Sequence, residues 1–184
     1  MHFDEKGKFV SRRDPMHPSN LLRDISIPAA YTTDRTKLGK EYAIIRRLKK
    51  IFPYSGIPSV RPNFIHIFTK PSRLCNHVDF REDAHYHRAP PRICINARFQ
   101  SELAAIISND EADALKRPDL LNYKVTGDLA IILIITHELG HSELAGFTDQ
   151  ILKQHGRGWK EQFAKLFMAI ITDINREKSV VITE

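Results

Sequence analysis

Residues 129–135 (LAIILII) are seven consecutive aliphatic side chains that run directly into Thr136-His137-Glu138-Leu139-Gly140-His141. A run of this kind has to be buried, and it carries two histidines and a glutamate towards the interior with it. Such polar groups are tolerated away from water only when they are paired or bound to a metal. The spacing adds a second constraint. On a helix, positions i and i+4 share a face, so His137 and His141 can reach one tetrahedral ion. Glu138 then falls beside that ion, placed to take the proton from a zinc-bound water. The expected helix starts at about Asp128, a suitable N-cap, and ends at about Ala145, with Gly146 to terminate it. A pair of hydrogen-bonded core histidines without metal is the competing reading.

Two histidines and a water leave one coordination position to fill. A metzincin-type continuation would need glycine at 144 and histidine at 147, where this chain has Leu144 and Phe147. Two candidates remain. One is His155, within His155-Gly156-Arg157-Gly158-Trp159-Lys160, and the other is Glu161, positioned as a thermolysin-like ligand from the next helix.

Around this motif the pattern predicts an α+β domain. Residues 34–52 place Leu38, Tyr42, Ile45, Leu48 and Phe52 at three- and four-residue steps, an amphipathic helix with a basic outer face. Residues 63–69 and 92–97 read as strands. The polar stretch 70–91 reads as a long loop or irregular hairpin, with His85 and His87 read as solvated side chains in preference to a His-x-His metal pair on a strand, a loop thiol at Cys75 and a small strand residue at Cys94. Residues 99–107 are expected to be helical and 109–118 a loop or short helical turn. A last helix starting near His155 buries Trp159, Phe163, Leu166, Phe167 and Ile170, and the chain from about 176 reads as a tail.

Composition limits the function classes. At 184 residues with 42% apolar and 27% charged side chains, the chain is expected to fold as one domain (residues 31–176) between an irregular basic arm (1–30) and a short tail (177–184). Two cysteines are too few for a disulfide framework or a four-cysteine ribbon. With no signal-peptide pattern and no membrane-spanning run, an intracellular location is expected, cytoplasmic or associated with the nucleoid or nucleus. Residues 1–50 hold 12 basic and 6 acidic side chains and residues 51–184 hold 16 of each, so the net charge of +6 belongs to the first fifty residues. A basic arm on a neutral body suits an acidic partner such as nucleic acid.

An HExxH followed about a dozen residues later by His-Gly-x-x-Trp-Lys at the head of an amphipathic helix resembles the SprT-like (Spartan-type) zinc metallopeptidases. The resemblance covers residues 137–163, and Arg92-Ile93-Cys94-Ile95-Asn96 is similar to the strand preceding the catalytic helix in that family. It implies a zincin-like, minimal gluzincin fold: a small antiparallel sheet packed on an N-terminal helix, a catalytic HExxH helix and a following third-ligand helix. It implies that His137, His141 and His155 bind one zinc per chain, that Glu138 is the general base and that Trp159 packs under the site. It further implies protein substrates associated with or crosslinked to DNA, with single-stranded or damaged DNA as a partner. The basic helix then offers Lys37, Lys40, Arg46, Arg47, Lys49 and Lys50 as DNA contacts. Because the chain ends soon after Phe163 without further cysteine, a second zinc is not expected. An edge strand, either 63–69 or 92–97, would align the substrate, and His66, His85, Tyr86, His87 and Tyr123 are candidate donors to the transition state. Two other functions stay open: a regulatory zinc peptidase acting on one partner protein without DNA, and a non-catalytic zinc-stabilised binding module.

Overall fold

The computed structural model describes residues 2–3, 9–10, 39–53, 57, 64–70, 75, 82–88, 90–142 and 155–181. In chain order these form β1 (His2–Phe3), β2 (Phe9–Val10), α1 (Gly39–Ile51), β3 (Ile65–Phe68), β4 (Ala84–Arg88), β5 (Pro91–Asn96), α2 (Ala97–Glu102), β6 (Ala104–Ile106), α3 (Asn109–Ala114), a 3-10 turn (Pro118–Leu120), β7 (Lys124–Thr126), α4 (Asp128–Gly140) and α5 (Arg157–Val181). The architecture is mixed α+β. Among the described residues no helix is long and apolar enough to cross a membrane.

The main sheet is mixed, not antiparallel. Its order is β3-β5-β4, with β5 parallel to β3 and antiparallel to β4. Stretch 70–91, expected to be a long loop or irregular hairpin, therefore contains an edge strand that pairs as the first arm of a hairpin. The reason lies in β5: Ile93, Cys94 and Ile95 are all fully buried, so this is the strand that gains most from neighbours on both sides. Strands β4 and β5 form a hairpin, and slotting β5 beside β3 makes that second pairing parallel.

One further expectation changes, and one open choice is made. The helix over 99–107 stops at Glu102, where Leu103 turns the chain with φ 45°, and residues 104–106 pair with 124–126 instead. Residues 109–114 form a six-residue helix, the helical one of the two alternatives for this stretch. Ser108 caps it: its hydroxyl accepts the Glu111 N–H, and the Glu111 carboxylate accepts the Ser108 N–H, a reciprocal capping box.

Helix α4 is the centre of the fold, and every residue from Leu129 to Thr136 is buried. Its N-cap is Gly127 with φ 61°, a conformation that suits glycine, so Asp128 is the first helical residue instead of the cap. It ends at Gly140 with His141 as C-cap, earlier than expected, and Gly146 lies outside the described residues. Helices α1 and α5 pack against it. Ile44, Ile45 and Leu48 from α1, Ile93 and Ile95 from β5 and Trp159, Phe163 and Phe167 from α5 share one apolar core with Ile132 and Leu133. Helix α5 has 25 residues and continues to Val181, beyond the point where a tail was expected.

Candidate metal centre

Helix α4 presents His137 and His141 one turn apart, and the turn leading into α5 presents His155. That turn is tight: His155 has φ 47°, a left-handed conformation uncommon for a side chain of its size. The ligating atoms of the three histidines lie within 4.8 Å of one another, and Nε2 of His141 is 3.1 Å from Nε2 of His155. Nitrogens on a tetrahedral zinc-sized ion are about 3.3 Å apart, so the three imidazoles fit such an ion.

The opposite side of the rings supports the same fit. Nδ1 of His137 is 2.8 Å from Glu111 Oε1, and Nδ1 of His155 is 3.1 Å from Asp110 Oδ2. A carboxylate accepts from an N–H, which assigns the proton of each neutral ring to Nδ1 and leaves the Nε2 lone pair for the centre. Burial alone would lower the His137 pKa, but the Glu111 hydrogen bond and the charges of Glu138, Glu111 and Asp110 raise it above the ordinary histidine value. The reverse balance holds at Glu111, where the His137 contact and the Ser108 cap outweigh burial and keep the carboxyl below its usual range. His155 is lowered by burial and by neighbouring His137, with Asp110 opposing. These donors could hold a metal ion.

Glu138 is buried on the same turn, and burial, opposed by His137, pushes its carboxyl up to about 7. It faces a cleft of about 850 Å³ whose walls include His137, His141, Leu133, Ser108 and Tyr86. Strand β4 forms one wall. It is the sheet edge beside Glu138, so neither strand expected to align a substrate fills that place: β5 is central and β3 is the far edge. Of the candidate donors, His85, Tyr86 and His87 line the cleft, while His66 and Tyr123 are not among its lining residues.

Trp159 supports the centre from below. Fully buried, it donates its indole N–H to the His137 carbonyl at 3.2 Å. Its ring lies 4.2 Å from that of His155 and stacks on Phe163 at 5.1 Å, with an interplanar angle of 1°. Gly140 makes room for it, because a Cβ there would come within 2.9 Å of the indole nitrogen.

The structure joins His137, Glu138, His141 and His155 and leaves Glu161 out. Glu161 is half-exposed and accepts a hydrogen bond from Arg157 one turn earlier. Asp110 and Glu111 were missed in the sequence; the Ser108-x-x-Glu111 spacing announces the helix but not its histidine partner. His85 and His87 are not solvated loop side chains. They lie on β4, with the His85 side chain 11% exposed, and Cys75 is buried with Phe68 and Cys94.

The basic helix face is also smaller than expected. Lys37 lies outside the described residues. Lys40 pairs with Asp128, and Arg47 is buried, bonded to Asp173 and to Glu177 at 3.0 Å. Arg47 thus clamps α1 to α5 and is removed as a DNA contact, because its guanidinium is enclosed between the two helices. Arg46 and Lys50 are exposed and Lys49 is half-buried.

Compared with protein-family models, curated proteins and solved structures, the chain matches none of them.

Proposed function

We propose that this chain is a zinc-dependent endopeptidase with His137, His141 and His155 as the zinc-binding residues and Glu138 as the general base. One observation carries the reading: three imidazoles converge with a buried carboxylate on the wall of an open cleft. Three protein donors beside a cleft leave a coordination position for water or substrate, whereas structural zinc sites close with four protein ligands. This favours an enzyme over a zinc-stabilised binding module.

Zinc in such a site polarises a carbonyl and makes water a nucleophile at neutral pH. The residues do the rest. Glu138 accepts the proton of the attacking water and hands it to the leaving amine. Glu111 and Asp110 hold the His137 and His155 rings in place, and Trp159 fixes the turn between the two motifs. The β4 edge pairs with an extended substrate backbone, so unfolded or flexible protein segments are the substrates.

Proteins associated with or crosslinked to DNA are the proposed substrate class, supported by the resemblance to SprT-like peptidases and by the charge excess in residues 1–50. The test is zinc content together with cleavage of an unfolded protein, with and without single-stranded DNA. Glu138→Gln is expected to retain zinc and lose cleavage; undiminished cleavage refutes the mechanism. Stimulation by DNA that fades with rising salt supports the DNA-linked substrate, and equal cleavage without DNA makes the chain a peptidase of a partner protein instead.

A further inference from the structure

A second cluster of metal-ligating side chains lies on the main sheet, and its two histidines line the same cleft as the three of the first centre. His85 and His87 are two residues apart on β4 and therefore point to the same face. Cys94 is the register partner of His85 on β5, which puts its side chain on that face as well. The fourth member, Cys75, comes from the segment between β3 and β4. Its sulfur is 2.9 Å from Nε2 of His85, which is in turn 3.1 Å from Nε2 of His87. All four ligating atoms lie within 4.8 Å of one another.

We propose that Cys75, His85, His87 and Cys94 form a second metal site, a structural zinc site. Two sulfurs and two imidazole nitrogens are a donor set that selects zinc, and on a tetrahedral zinc they stand about 3.3 to 3.8 Å apart. Four protein donors close the coordination sphere, in contrast to the three at the cleft. Both cysteines are buried and no disulfide joins them. With Phe68 they make a small apolar cluster separate from the main core, so the sulfurs are screened from bulk water while the histidines reach in from the strand. The sequence spacing hides this arrangement, since nine residues separate Cys75 from His85 and only the β4–β5 register brings Cys94 opposite His85.

Metal there ties three pieces of chain together: the Cys75 segment, the edge strand β4 and the central strand β5. On the peptidase reading, β4 is the wall along which substrate lies, so this zinc braces the substrate-binding edge without taking part in the chemistry. The chain then carries two zinc ions, not the single one expected from sequence.

The experiment uses the full chain. Metal analysis of the purified protein is expected to give two zinc per chain. Reconstitution with cobalt is expected to show a near-ultraviolet thiolate-to-cobalt charge-transfer band, retained in the His137→Ala/His141→Ala variant and lost in Cys75→Ser/Cys94→Ser. Absence of that band in the wild-type cobalt protein overturns the proposal, as does a Cys75–Cys94 disulfide in the purified chain. Should the cysteine variant fail to fold, the wild-type spectrum decides. The three-histidine centre contains no sulfur, so the band reports on the second site alone. An inactive chain that keeps the band sinks only the peptidase reading.

Discussion

Glu111 Oε1 lies 2.8 Å from Nδ1 of His137, while its other oxygen accepts the Ser108 backbone N–H at 2.7 Å. One carboxylate thus both caps α3 and orients a histidine on α4. The position of the small helix and the tautomer of the ring are set together. Asp110, its neighbour, orients His155 in turn, with Oδ2 3.1 Å from Nδ1 of the ring.

Glu111→Ala is expected to lower zinc affinity at the histidine centre about 10- to 100-fold, the usual consequence of removing such a support. It also costs about 1 kcal/mol through the lost cap. Chelator competition reads the first effect and urea unfolding the second. Unchanged affinity alongside lowered stability would show that Glu111 acts only as a cap.

Replacing His155 and Glu161 separately tests the third ligand. His155→Ala is expected to release the ion from the histidine centre, whereas Glu161→Ala, which loses only an exposed pair with Arg157, leaves zinc content unchanged. The opposite pattern would transfer the role to Glu161.

Gly140→Ala sets two effects against each other. Alanine favours a helix by about 1 kcal/mol over glycine. Against this, the new Cβ would approach Trp159 Nε1 to 2.9 Å, and the indole, buried and stacked on Phe163, has nowhere to retreat. Overpacking is expected to win, with a net loss of about 1–2 kcal/mol in denaturant unfolding. A stabilised variant would mean that Trp159 does not pack on Gly140.

Arg47→Ala is expected to destabilise the fold by about 2 kcal/mol, because it removes the buried guanidinium that joins Asp173 and Glu177 to α1, with Asp173 keeping Arg176, and opens a gap between α1 and α5. Arg47→Lys restores little, since an ammonium cannot reproduce the forked contact. DNA binding, measured on the folded variant, is expected to be unaffected. Weaker DNA binding at unchanged stability would return Arg47 to the surface role.

Glu41 gives a pH dependence. Burial raises its carboxyl above 4.5, with its own backbone N–H and Lys40 opposing and Asp128 adding to the rise. A carboxyl whose folded value is raised contributes stability below its unfolded value, and that contribution is lost as pH rises through the folded value. Glu41→Gln removes the charge, so its melting temperature is expected to exceed that of the wild type at neutral pH, with the gap closing in acid. A gap that stays constant across the range would exclude this titration as its source.

Local signals were enough where periodicity and spacing act within one element. The aliphatic run before His137 specified a buried helix, i,i+4 spacing put His137 and His141 on one face, and the apolar steps from Trp159 to Ile170 gave α5. Residues 99–107 were misread because a left-handed turn at Leu103 outweighed average propensity, and at 109–118 the choice between loop and short helix fell to the helix through the capping box at Ser108. Strand β4 was hidden by its polar composition. An edge strand beside a cleft needs few apolar side chains, and His85, Tyr86 and His87 look like loop residues until β5 pairs with them.

By itself, then, the sequence determined that His137 and His141 share one helical face with Glu138 beside them, and the choice of short-range partners, because those follow from helix geometry. Only the tertiary structure brought His155 beside His137 and His141 with Glu161 apart, and only it set the carboxylates behind the imidazoles, the burial of Arg47 and the meeting of Cys75, His85, His87 and Cys94. Each of these depends on the docking of elements remote in sequence, set by packing of α4 against α1, α5 and the sheet. Side-chain identity names the possible ligands; the register of two strands and the entry of one helix choose among them.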